Sequence, residues 1–83
     1  MGTKLFVGSL PWSITDDALK TTFEAHGKVV SAKVITDRQS GRSKGYGFVE
    51  MEEEADATNA IQALNGKELE GRNIVVSEAK SKG

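Results

Sequence analysis

The chain reads as an α+β domain with the element order β-α-β-β-α-β, one four-stranded sheet carrying two helices on a single face. Three observations predict it. Four short segments alternate apolar residues with a period of two. Two others place apolar residues at helical spacing. With 83 residues in all, two helices of roughly a dozen residues each can cover only one side of such a sheet.

The first segment, KLFVGSL, is a strand with Leu5 and Val7 on one row and Lys4, Phe6 and Gly8 on the other, closed by Pro11. Thr15 is the N-cap of a helix with Asp16 and Asp17 in its first turn, Leu19 and Phe23 four apart, and Gly27 as terminator. VVSAKVIT, residues 29–36, is rich in β-branched residues and predicts a strand with Val30, Ala32 and Val34 on one row and Ser31, Lys33 and Ile35 on the other. DRQSGRS then makes a turn-bearing loop. The third strand, KGYGFVEM, alternates Lys44, Tyr46, Phe48 and Glu50 with Gly45, Gly47, Val49 and Met51. Ala57, Ala60, Ile61 and Leu64 mark a second, small-faced helix that stops at Asn65-Gly66. KELEGR is a polar turn region, and residues 73–77 form a last strand with Ile74 and Val76 on one row and Val75 on the other.

If Leu5, Val7, Val49, Met51, Ile74 and Val76 face the helices, then Phe6, Tyr46 and Phe48 lie on the uncovered side. These are three of only five aromatic residues in the chain. Rings left in water as one patch reduce solubility and add nothing to a core, so they point to a flat ligand that stacks.

Composition excludes several classes of function. The absence of cysteine removes disulfides, thiol catalysis and Cys-based zinc sites, and one histidine, His26, makes no metal site. His26 ends the first helix and is expected to interact with its last carbonyls. No apolar run approaches the ~20 residues that span a bilayer, and no secretory leader precedes the domain. Phe6 stands where a myristoylation signal has Ser or Thr. The expectation is an intracellular monomer without membrane contact, cytoplasmic in a bacterium and nuclear or cytoplasmic in a eukaryote. A net charge of −1 and a pI near 5.8 do not suit a protein that grips nucleic acid by charge alone. The charges are segregated, however. Lys28, Lys33, Arg38, Arg42 and Lys44 stand against Asp37 alone, and the acids Glu50, Glu52, Glu53, Glu54 and Asp56 follow, at and before a helix start where the dipole favours them.

With these residues in place, the sequence resembles the RNA recognition motif family from Lys4 to Ala79. LFVGSL is similar to the family's hexamer, and KGYGFVEM to its octamer, Lys/Arg-Gly-Phe/Tyr-Gly/Ala-Phe-Val-x-Phe/Tyr. Seven of the eight octamer positions fit; the departure, Met51, falls on the core row, where a flexible apolar side chain fills space. The likeness extends to short single-domain bacterial members and to the domain of glycine-rich RNA-binding proteins. It implies a ferredoxin-like sandwich with an antiparallel sheet of strand order 4-1-3-2, a single domain over residues 3–80, and a short tail at 81–83. It also implies a binding module, with no catalytic residue and no cofactor, whose ligand is single-stranded RNA. The residues matching Phe6, Tyr46 and Phe48 would stack on bases and sugars, and the one matching Lys44 would contact phosphate.

Around these the candidate set adds Lys4 and Lys33 on the open row, Arg38 and Arg42 in the adjoining loop, and Glu78 and Lys80 after the last strand. Lysines on a sheet face and arginines in a loop also occur as plain solvated groups. Trp12 is expected to pack its loop onto the domain, with stacking on RNA as the second role. Single-stranded DNA should be discriminated only weakly and duplex should bind little, because stacking needs unpaired bases. Two other classes compete: an enzyme, for which nucleophile, metal spacing and phosphate loop are all lacking, and a peptide-binding relative, which would not need the aromatic row.

Overall fold

The structure, a computed structural model, describes residues 3–79. Its elements are β1 (Thr3–Gly8), α1 (Asp16–Glu24), β2 (Val29–Thr36), β3 (Ser43–Met51), α2 (Glu54–Leu64), β4 (Glu68–Leu69), β5 (Arg72–Asn73) and β6 (Val75–Glu78). Four of the strands form one antiparallel sheet in the order β2-β3-β1-β6, which is the expected 4-1-3-2 read from the other edge with β6 as the fourth strand. The segment read as a polar turn instead folds into the small β4-β5 hairpin, pairing Glu68 with Asn73 and Leu69 with Arg72. Glu70 and Gly71 make its tip with φ of 51° and 89°, a left-handed pair that lets two very short strands reverse. Lys80 and the tail at 81–83 lie outside the described residues.

The helices form where capping and spacing predict. Thr15 Oγ1 accepts the Ala18 N–H at 3.1 Å, and Leu19 and Phe23 are fully buried against the sheet. Asp16, at the helix start, accepts the Val34 N–H at 2.7 Å and so ties α1 to a β2 backbone group. On α2 the inward positions are Ala57, Ala60 and Leu64, with Ile61 partly buried at the margin. Alanines there let the helix lie close to the sheet. Its end is joined to β6 through Asn65 Oδ1, which accepts the Val76 N–H at 3.0 Å.

The core lies between helices and sheet, and the six residues assigned to the helix side, Leu5, Val7, Val49, Met51, Ile74 and Val76, are each at most 2% exposed. One strand departs from simple alternation. A register shift between Val29 and Ser31 turns Val29 into the core and leaves Val30 52% exposed, so the inward row of β2 is Val29, Ala32 and Val34 rather than one beginning at Val30. An extra residue in one strand of a pair reverses the side-chain parity beyond it, which alternation alone cannot anticipate. Among the described residues no helix crosses to the other side of the sheet, and none is long and apolar enough to span a membrane.

Candidate nucleic-acid interface

Two central strands place the aromatic side chains. β1 and β3 are neighbours in the sheet, and their register sets Phe6 directly opposite Phe48. Ring centroids are 5.8 Å apart for Phe6 and Phe48, 5.9 Å for Phe6 and Tyr46, and 6.3 Å for Tyr46 and Phe48. The rings meet tilted or edge-on, which suits their quadrupoles and shields part of each from water. All three are therefore half-buried without any helix over them.

Two glycines allow this arrangement. A Cβ at Gly8 would come within 2.9 Å of Phe6 Cε2, so its absence lets the Phe6 ring lie over the end of β1. A Cβ at Gly47 would overlap the Lys33 carbonyl oxygen and stand 3.0 Å from Val34 Cα, so glycine there permits β2 and β3 to approach.

The basic residues are distributed unevenly around the rings. Lys33 on β2 is the direct cross-strand neighbour of Phe48. Lys4 shares the open row but faces Glu50, which offsets its charge. Lys44 is placed by an irregularity, not by alternation: between the Val34–Gly47 and Thr36–Ser43 pairs, β3 has extra residues and Gly45 takes a φ of 85°. Lys44 nevertheless ends beside Tyr46, on the wall of a groove that also includes Arg42. Arg38 is exposed in the β2–β3 loop, outside that wall.

Glu78 is a correction. It pairs with Leu5, and residues paired across an antiparallel ladder share a face, so Glu78 stands on the helix-side row. The β6 residues that reach the open row are Val75, 45% exposed and near Gly8, and Ser77, opposite Phe6. Neither was among the candidates, although the parity that turns Ile74 and Val76 inward already marks them. Lys80 lies outside the described residues.

The β2–β3 loop is closed by its own hydrogen bonds. The Asp37 N–H donates to the Arg42 carbonyl at 2.7 Å, and the Gly41 N–H to the Asp37 carbonyl at 2.8 Å. Asp37 Oδ1 accepts from the Gln39 N–H at 2.7 Å and the Ser40 N–H at 3.4 Å. These bonds, with the nearby Lys44 charge, hold the Asp37 carboxyl below its ordinary value.

Trp12 does not pack its loop down: the residue is 66% exposed, while Leu10, Pro11 and Ile14 supply the buried anchors. His26 uses its backbone N–H to bond the Phe23 carbonyl at 2.9 Å, and no cluster able to hold a metal occurs among the described residues.

Comparison with known proteins matches residues 5–75 to the family model described as RNA recognition motif. The chain belongs to the RNA recognition motif family. A glycine-rich RNA-binding, abscisic acid-inducible protein from Zea mays is 46% identical over 80 residues, covering 96% of this chain and 51% of its own length. This RNA recognition motif chain thus spans about half the length of that relative. Among solved structures, the crystal structure of RNA binding protein PG1 superposes with a TM-score of 0.92 at 43% identity, covering 98% of both chains. The Sxl-lethal protein/RNA complex gives a TM-score of 0.91 at 35% identity, over 100% of this chain and 50% of that one.

Proposed function

We propose that this domain binds single-stranded RNA on the open face of its sheet, with bases stacked on Phe6, Tyr46 and Phe48. The observation that carries the reading is the contiguous cluster of three rings on a face that no helix covers among the described residues. A base offers a π-face whatever its identity, and stacking contributes about 1 to 3 kcal/mol per base. Three platforms can therefore hold a few nucleotides without a basic surface. Lys33, Arg38, Arg42 and Lys44 take phosphates along the β2 side, and Lys4 does so more weakly because Glu50 opposes it. The domain acts as a binding module and not as an enzyme, in keeping with relatives whose names describe RNA-binding proteins.

Stacking demands unpaired bases, so duplex RNA is a poor ligand and single-stranded DNA a moderate one. The test is a chemical-shift titration with a single-stranded RNA octamer, followed by competition with duplex RNA and single-stranded DNA. Shifts centred on Phe6, Tyr46 and Phe48, with duplex failing to compete, support the proposal. Equal competition by duplex refutes it. A peptide ligand that moves helix residues, with no response to RNA, would assign the domain to protein capture instead.

A further inference from the structure

We infer that Asp16 and Asn65 close the two edges of the four-stranded sheet, and that by doing so they prevent a second copy of this chain from joining its sheet to this one. Whatever the ring face binds, the edges decide whether copies stay apart.

An edge strand turns every second N–H away from its neighbour, and a row of such groups is a template for another strand. In the order β2-β3-β1-β6 those rows belong to β2 and β6. Each edge also carries an apolar residue in water, with Val30 52% and Val75 45% exposed. Two copies meeting edge to edge would shield such residues and gain a ladder of backbone bonds, so association has a driving force unless the outward groups are already taken.

On β2 the regular part of the ladder is short. Register shifts fall between Val29 and Ser31 and between Val34 and Thr36, so straight pairing runs only from Ser31 to Val34. Within that run the Val34 N–H donates to Asp16 Oδ1 at 2.7 Å, so it points outward and an acidic side chain, held at the start of α1, stands across the edge. Alternation leaves Ala32 as the other residue of the run whose N–H turns outward. One group between two irregularities offers an arriving strand no ladder.

The segment that ends α2 closes the opposite edge. β6 continues from Ile74, whose N–H donates to the Lys67 carbonyl at 3.0 Å and whose carbonyl accepts the Gly66 N–H at 2.7 Å. The next outward group, the Val76 N–H, donates to Asn65 Oδ1 at 3.0 Å. Among the described residues only Glu78 follows on that row, and a charged residue at an edge opposes pairing. Residues 65–67 therefore stand where a further strand would lie. The same device occurs twice: a side-chain oxygen at a helix end, the start of α1 for β2 and the end of α2 for β6, takes the outward N–H of an edge strand.

The experiment compares the wild type with Asp16→Ala, Asn65→Ala and the double alanine variant, with Asp16→Asn and Asn65→Asp, which keep the accepting oxygen, and with Val49→Ala, which loosens the core and leaves both edges closed. Amide hydrogen exchange reads Val34 and Val76, thermal melts read stability, and sedimentation across a wide concentration range, below each melting transition, reads association. The wild type should be monomeric. Exchange should quicken by about 2- to 10-fold at Val34 alone in Asp16→Ala and at Val76 alone in Asn65→Ala, the factor expected from one net hydrogen bond. Opening one edge permits a dimer and opening both permits growing chains, so the single variants should dimerise and the double variant should form larger species as concentration rises. Asp16→Asn, Asn65→Asp and Val49→Ala should remain monomeric. Should the double variant fail to fold, each single variant beside its oxygen-keeping counterpart carries the same comparison. Alanine variants that stay monomeric throughout overturn the inference, as does a Val49→Ala that associates as they do, or a wild type that is itself oligomeric.

Discussion

Replacing Phe48 and Val49 by alanine, one at a time, tests whether the two faces of β3 have been assigned correctly. The residues are adjacent in sequence and point to opposite sides of the sheet. Val49 is fully buried, paired with Leu5 on one side and Ala32 on the other. Val49→Ala removes two methyl-sized groups at about 0.8 kcal/mol each and leaves a small cavity, so stability should fall by about 2 to 3 kcal/mol. RNA affinity per folded molecule should stay at the wild-type value. Phe48 is covered by no helix, and alternation alone would predict no stability cost for its removal. The ring contacts change that expectation: Phe48 touches Phe6 and Tyr46 edge-on, and such pairs contribute about 0.5 to 1.5 kcal/mol, so a loss of about 1 to 2 kcal/mol is expected. Its larger effect should be on binding, about 1 to 3 kcal/mol from the lost stacking surface. Denaturant melts and RNA titrations on both variants decide the matter, with titrations run where each protein remains folded. The assignment is refuted if folded Val49→Ala fails to bind RNA, or if Phe48→Ala binds as tightly as the wild type.

Three further outcomes can be checked with the same preparations. Gly47→Ala should destabilise the domain by more than about 2 kcal/mol, because the added methyl meets the β2 backbone and not a flexible side chain; an unchanged denaturation midpoint would refute the close approach of β2 and β3. The slope of log affinity against log salt should be roughly −2 to −3, from three or four phosphate contacts at about −0.7 each, and a slope steeper than about −5 would show that charge dominates over stacking. Asp37 has a folded pKa lowered below the ordinary value of 3.8, so its contribution to stability is present above pH 3.8 and is lost as pH falls through the lower folded value. Melts of wild type and Asp37→Asn from pH 6 down to pH 2 should accordingly converge at the acid end, and a gap that widens there would contradict the loop geometry.

Much of the fold was legible because local and global signals agree. Thr15, the spacing of Leu19 and Phe23, and the rows of β1 and β3 each specify one element, and each element needs the others to bury its apolar side. The ring cluster followed from parity plus the count of helices. What escaped the sequence depends on register. The bulge at Val29–Ser31 exposes Val30, and extra β3 residues around Gly45 interrupt the ladder beside Lys44; neither has a local signature apart from a β-branched pair and one of the two glycines of the strand. Trp12 was misjudged for another reason: whether a loop aromatic packs or projects depends on which neighbours anchor the turn, and Leu10, Pro11 and Ile14 fill that role. The Glu78 assignment could have been avoided, since Ile74, Val76 and Glu78 share one parity.

A net charge of −1 is a sum over two unlike faces. Glu54 and Asp56 lie in the first turn of α2, where the helix dipole favours them, with Glu52 and Glu53 just before it. Lys28 is drawn to that side, 3.5 Å from Glu52 in an exposed pair that salt would screen. The remaining cations of the basic run, Lys33, Arg38, Arg42 and Lys44, follow β2, the β2–β3 loop and the start of β3. At the other edge, the open-row residues of β6 are Val75 and Ser77, which carry no charge. A polyanion whose bases lie on Phe6, Tyr46 and Phe48 would therefore be pulled toward one edge of the sheet, along the line that ends between Arg42 and Trp12. In the proposed binding mode stacking would supply most of the affinity and the sparse charges would choose the course of the backbone, so removing a single cation should alter the path or the salt response more than it weakens binding.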